Sequence, residues 1–418
     1  MFSTTSSGGQ GKQVGIVLLF CAALCQLGIA SEPIVIQSGE RLVHLRSGGG
    51  PDAAPEWTEF AESTPIEKLD LTFQSSFIDA DLLEIHQQDV KQAWKVRLND
   101  TPLEPLPRDE NDLVISLPVP EGALREGENR LTIEGPADAV DDIRLGQIRL
   151  HPRAEKPWLQ QCQLTVHVTD KSTREATPCR LTILNSHGAL QTVHVPLRPL
   201  LAVRPGVIYA GDGDATFSLP AGEYTIFAGR GFEYSLAQQS VQLTAGDSRS
   251  LDLSIEREVS TTGYVACDTH VHTLTHSGHG DCSIEERMVT LAGEGIELAI
   301  ATDHNKQIDY RPAAQELGLL RHFTPVIGNE VTTKTGHFNM FPLPPIEPRP
   351  DHTFTDWGEL GAEFDRHSEA QVIILNHARD LHSGVRPFGP LLFNAVIGTR
   401  FDGQPIPANA MEVINSGA

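Results

Sequence analysis

The histidines of this chain are unevenly spread, with eleven of the 17 falling between Gly263 and His382. A folded core seldom needs so many imidazoles, whereas a metal site uses them as neutral donors. His270 and His272 stand two apart, so on an extended strand end both rings project to the same side. Asp268, Asp303, His304, Glu330, His337 and His377 add carboxylates and imidazoles at wide intervals, and only a fold can bring them together. Divalent ions held among such groups make water nucleophilic near neutral pH and stabilise an oxyanion, so hydrolysis needs no Ser or Cys nucleophile.

The elements that must position these residues follow from the local pattern. Residues 263–267 read as a short strand, and Ser283 with Glu286 as a capping box opening a helix that Gly293 and Gly295 close. Residues 298–302, 324–328, 337–341, 371–375 and 410–414 read as further strands, with a helix near 356–367. Strands alternating with helices predict a parallel sheet closed into an α/β barrel. In such a barrel the candidate ligands sit where βα loops begin, and those strand ends converge on one face.

Asp268-Thr-His-Val-His-Thr273, a loop rich in His and Asp, and Thr302-Asp-His-Asn305 after an apolar strand form a specific pattern. It resembles the polymerase and histidinol phosphatase (PHP) superfamily of metal-dependent hydrolases. Within that superfamily the chain is similar to the CehA/McbA metallohydrolases. The likeness rests also on Ser283-Ile-Glu-Glu-Arg287, Gly328-Asn-Glu-Val331, Gly336-His-Phe-Asn339 and Leu375-Asn-His377, and it spans residues 263–418.

The resemblance implies a distorted TIM-like barrel and a site of two or three divalent ions. His270, His272, His304 and Glu330 match its ligands, and His337 and His377 match those of a further ion. His279 is the candidate loop ligand, with His276 and Asp281 as rivals. Asp268 and Asp303 are expected as catalytic carboxylates that orient imidazoles or bind metal directly. Zn²⁺ suits the imidazoles, and Mn²⁺ or Fe²⁺ a carboxylate bridge. Arg379 and Lys306, each two residues past a candidate ligand, are placed to meet an anionic substrate or to lie solvated. His322, His352 and His367 stand at no matching strand end and are read as non-ligands.

The implied activity is cleavage of a phosphoester, or of a carbamate or carboxylic ester, by a metal-bridged hydroxide. The alternative is an exported, non-catalytic surface protein whose sandwiches bind a glycan or a partner and whose degenerate or truncated hydrolase domain binds metal. Members of the superfamily carry a late Asp-x-His; Asp365-Arg-His367 and Asp380-Leu-His382 have the spacing but come too early. The expectation is therefore a barrel truncated at its C-terminus, with reduced activity.

Residues 31–155 and 156–260 alternate apolar and polar positions in short runs, as β-sandwiches do. Residues 119–133 resemble galactose-binding-like jelly rolls, and residues 215–229, with the turn at Pro220-Ala221-Gly222, resemble prealbumin-like sandwiches. Both are expected as spacers or docking modules, with glycan or cell-surface binding open to them, ahead of a hydrolase domain at 261–418.

With 55 acidic and 32 basic residues the net charge is -23, the wrong sign for nucleic-acid binding as a main role. A small anionic ester stays compatible, because divalent ions reverse the local potential. Residues 1–30 read as a secretory signal: Lys12 is its only charge, residues 14–27 are apolar, and Gly28-Ile29-Ala30 is the cleavage site. The expected location is secreted or periplasmic, with no membrane span after cleavage. Cys162 and Cys179 are expected as a cross-strand disulfide or as two buried thiols, and Cys267 and Cys282 as packing residues.

Overall fold

Apolar side chains at alternate positions drive much of the chain into paired strands, because each strand then buries one face. The computed structural model describes residues 32–48, 65–154, 156–346, 348–378 and 386–413; the expected leader and Arg379 lie outside them. Strand Lys68–Ser75 pairs antiparallel with Gly127–Glu134, from Lys68 opposite Glu134 to Ser75 opposite Gly127. With Lys95–Leu98, which also pairs Gly127–Glu134, it forms one layer. Ala80–Gln88, Leu113–Pro118 and Asp141–Pro152 belong to the facing layer. Leu69, Phe73, Val96 and Leu131 from the first layer meet Leu83, Ile85, Ile115 and Ile148 from the second in one core. Trp94 is fully buried there, and its Nε1 donates to Asp141 Oδ2 at 2.8 Å.

The next unit repeats the principle. Cys162–Asp170 lies between Asp214–Leu219, antiparallel, and Ser248–Ile255, parallel. Cys179–Asn185 pairs with Val207–Ala210 and Gly222–Gly229 in the other layer, and Leu164, Val166, Leu181, Phe217 and Ile226 fill the space between. Leu190–Gln191 pairs parallel with Leu113–Pro118, so one sheet runs through both units. Cys162 and Cys179 are buried free thiols. Burial pushes Cys179 up to about 12. Cys282 packs inside, but Cys267 is exposed, unlike the packing residue expected.

From Cys267 onward the strands do not form the expected TIM-like barrel, and this corrects the architecture implied by the resemblance. Among the described residues strand occupies 43% and helix 9%, too little helix to surround a barrel. A parallel sheet of three strands contains Cys267–Val271, Leu298–Ala301 and Thr324–Ile327. A second sheet of four contains Asn329–Thr333, Gly336–Phe341, Val372–Leu375 and Ala410–Met411. Among the described residues neither sheet closes on itself. The reason is the loop of Lys334 and Thr335: two residues make a hairpin, and a hairpin forces antiparallel pairing where a barrel needs a helical crossover. The expected first strand also starts later, at Cys267, and so carries His270 within it.

The two sheets are joined by the chain itself at Gly328. A Cβ there would stand 3.0 Å from Ala301 O, Ile300 Cγ2 and Met340 O, so glycine lets one strand run into the next through a packed junction. The Ser283–Glu286 capping box opens helix Ile284–Gly293, whose Met288, Val289, Leu291 and Ala292 cover the parallel sheet. The helix ends against the preceding unit. A Cβ on Gly293 would come within 2.9 Å of Cys179 O and Tyr209 Cδ1, and Tyr209 OH donates to Glu294 Oε1 at 2.8 Å. Among the described residues no helix is long and apolar enough to cross a membrane.

Candidate metal centre

Alternation along the second sheet separates its faces. Glu330 and Thr332 pair with Asn339 and His337 and share one face, while Val331, Phe338 and Met340 share the other. The apolar face packs on Trp357, Leu360 and Phe364 of helix Trp357–Phe364, which fixes the polar face in place. An isolated backbone bridge between His304 and Glu330, with Asn305 N donating to Glu330 O at 2.9 Å, ties the loop after Leu298–Ala301 to the edge of this sheet. His270 and His304 come from the ends of Cys267–Val271 and Leu298–Ala301, His377 from the end of Val372–Leu375.

The fold brings all seven expected ligands together in three overlapping groups: His272, His279 and His304; His270, Glu330 and His377; and His304, Glu330 and His337. Within each group one donor atom per residue lies within 4.8 Å of the others. Glu330 is the hub and has no solvent exposure. Its Oε2 lies 3.5 Å from His270 Nε2, 3.0 Å from His272 Nε2 and 2.9 Å from His304 Nδ1. Its Oε1 lies 3.2 Å from both His337 Nδ1 and His377 Nε2, and accepts from Asn376 Nδ2 at 3.0 Å.

Three of these histidines have a further partner at Nδ1, and those partners assign the tautomer of the neutral ring. His270 Nδ1 donates to Glu412 Oε1 at 2.6 Å. Ser277 Oγ gives its only proton to Asp303 Oδ1 at 2.6 Å and so accepts from His272 Nδ1 at 3.2 Å. Thr332 Oγ1 donates to the Glu330 carbonyl and accepts from His304 Nδ1 at 2.6 Å. In the neutral ring each arrangement leaves Nε2 as the lone pair. For His304 that atom faces His279 Nε2, with which it makes a very close contact. Because a neutral imidazole offers one lone pair, this wiring gives His304 to the group with His272 and His279.

These residues fit a divalent ion. Donor atoms about 2.1 Å from a shared ion stand about 3.0–3.4 Å apart, which matches the spacing around Glu330. Glu330 Oε2 is buried, lies close to three imidazoles, and has hydrogen-bond geometry with none. Converging lone pairs and a buried acceptor without a proton in line are what a cation resolves. In the metal-free chain protons supply the charge instead. Burial opposes ionisation of Glu330, but the surrounding imidazoles outweigh it and hold the carboxyl far below its usual range. His270 is correspondingly held up at about 10, since Glu330 and Glu412 overcome the effect of its burial, and Glu330 raises His377 as well.

The other expected residues lie elsewhere or act at one remove. Asp303, fully buried, accepts from Thr273, Ser277 and Tyr310 OH, and reaches His272 through Ser277. Asp268 Oδ1 accepts from the backbone of His270 at 3.0 Å, which turns the chain without touching the ring. Asp281 pairs with Arg204 and Arg287; although burial works against its charge, Cys282 and these arginines hold it at about 2. His276 joins none of the three groups, leaving His279 as the loop residue that does. Lys306 Nζ donates to the His276 carbonyl in an exposed contact. His322 contacts Arg230, and burial pushes it down to about 4; His367 contacts Glu363; His352 is exposed. Sequence reasoning missed Glu412, Ser277, Thr332 and Asn376. Only Asn376 and Ser277 had a signal, one beside His377 in a quoted motif, the other in the His/Asp-rich loop.

No protein-family model matches the chain, and no curated protein matches it. Among solved structures it is similar to the group B streptococcus pilus 2b backbone protein, at 13% identity and TM-score 0.18, over 46% of this chain and 92% of that one. BcpA, the major pilin subunit of Bacillus cereus, is similar at 10% identity and TM-score 0.21, over 55% and 71%. The FMN-binding β-glucuronidase from Facaelibacterium prausnitzii L2-6 follows at 12% and 0.21, over 70% and 51%. Superpositions this loose carry no inference about fold or function.

Proposed function

We propose that this chain is a metal-dependent hydrolase of small ester substrates, phosphoesters first and carbamates or carboxylic esters next. The observation that carries the reading is Glu330: a carboxylate with no exposure, ringed by nitrogens of five imidazoles. Zn²⁺, Mn²⁺ or Fe²⁺ bound there, as two or three ions, would make water nucleophilic near neutral pH and polarise the substrate's P=O or C=O. The chain's own part is positional. Glu330 supplies the negative charge that would let several cations sit close together, and Glu412, Ser277 and Thr332 each face Nδ1 of a histidine, which leaves Nε2 to a metal once the ring is neutral. His279 is exposed and stands at the mouth, where Lys306 adds a positive charge on the approach of an anion. The kinship with PHP-type CehA/McbA enzymes belongs to the same reading, as does export behind residues 1–30.

The test is a panel of phosphodiester, phosphomonoester and carbamate model substrates, assayed with added Mn²⁺ or Zn²⁺ and again after chelation. Turnover that chelation abolishes and metal restores is expected. Metal uptake without turnover on any of the substrates would favour a non-catalytic metal-binding protein instead.

A further inference from the structure

Glu412 lies past the last ligand expected from the sequence, yet it touches two ligand-bearing segments at once. Its Oε1 accepts from His270 Nδ1 at 2.6 Å, and its Oε2 accepts from the backbone N–H of His377 at 2.6 Å. His270 belongs to the parallel sheet, whereas Glu412 follows Ala410–Met411 of the other. The carboxylate is therefore a tie between the two sheets at the point where their ligands meet.

Its own placement is fixed by pairing. Leu375 stands opposite Met411, and Glu412 N donates to Leu375 O at 3.0 Å, so Glu412 is carried to the site by register. A one-residue slip would turn it to the other face. His377 has a backbone φ of +25°, sparsely populated for a residue with a Cβ. The bond from its N–H to Glu412 holds it there. On the His270 side, a carboxylate at Nδ1 takes the proton-bearing nitrogen and leaves Nε2 to the cluster.

We propose that Glu412 is a positioning residue of the metal centre, which sets the His270 tautomer and locks the His377 turn. This rests on the metal-dependent reading of the site, but its first readout does not. The experiment uses the full chain, wild type and Glu412→Gln, the latter nearly isosteric but neutral. In the metal-free wild type, taken to a pH at which His270 carries a single proton, long-range ¹H–¹⁵N NMR of the imidazoles, assigned with His270→Gln, should place that proton on Nδ1. Glu412→Gln should lose that signature. Mn²⁺ affinity by calorimetry should fall roughly 10- to 100-fold, as it does when such outer partners are removed. A wild-type His270 with Nδ1 bare, or a variant with unchanged tautomer and unchanged affinity, would overturn the proposal. If the wild type binds no divalent ion, the hydrolase reading fails while the tautomer still decides the role of Glu412.

Discussion

Burying an ionised carboxylate costs several kcal/mol unless donors or cations surround it, and Glu330 is surrounded on both oxygens. This sets a pH rule for the metal-free protein. His270 is held at about 10, above its ordinary 6.5, so the stability it contributes is full below its ordinary value and fades as pH rises through 10. A metal must displace that proton. At pH 7, calorimetry in buffers of different ionisation enthalpy should show at least about one proton released per chain on uptake, with affinity rising as pH rises. No release would mean that His270 is not a ligand. A second expectation concerns His279, the one exposed member of the seven. His279→Ala should weaken one ion roughly tenfold or more and spare the ions held on Glu330, seen as loss of one binding phase. Equal loss of every phase would contradict the grouping inferred from the His304 tautomer.

Strand ends made much of the site legible before any fold was known. His270, His272, His304 and His377 stand at or just past apolar runs, and a ligand type at such a place is a positional signal. The hairpin between Thr333 and Gly336 was not legible, because Lys334 and Thr335 lack the Asn-Gly or Asp-Gly signature of tight turns. Reading that stretch without it turned a hairpin into a barrel strand. Glu412 was hidden for another reason: Ala410–Met411 is two residues long, and its register is set by Val372–Leu375 rather than by its own pattern. The Gly328 junction has a direct test. Gly328→Ala must push apart three atoms at 3.0 Å, two of them backbone carbonyl oxygens, and should cost about 1–3 kcal/mol in denaturant unfolding. A neutral result would show that the junction between the sheets has slack.

At the scale of the whole molecule, the strand-rich character of the chain was legible from alternation, and the α/β barrel expected after residue 261 was not what the strands build. The thiols check the packing of these strands. Of the four cysteines after residue 31, Cys267 alone is exposed. A thiol reagent should therefore modify one of these four readily in the folded chain and all four after denaturation. Finding two fewer on unfolding would mean that Cys162 and Cys179 are bridged. The acidic balance of the chain fits a protein whose positive charge arrives as metal at a single place. The decisive measurement is therefore elemental analysis of the purified chain beside Glu330→Gln, after saturation with Mn²⁺ or Zn²⁺ and removal of loose ions. At least about two ions per wild-type chain and a loss of most of them in the variant are expected. An equal metal content in both, or none in the wild type, would contradict the assignment of Glu330 as the hub of a metal centre.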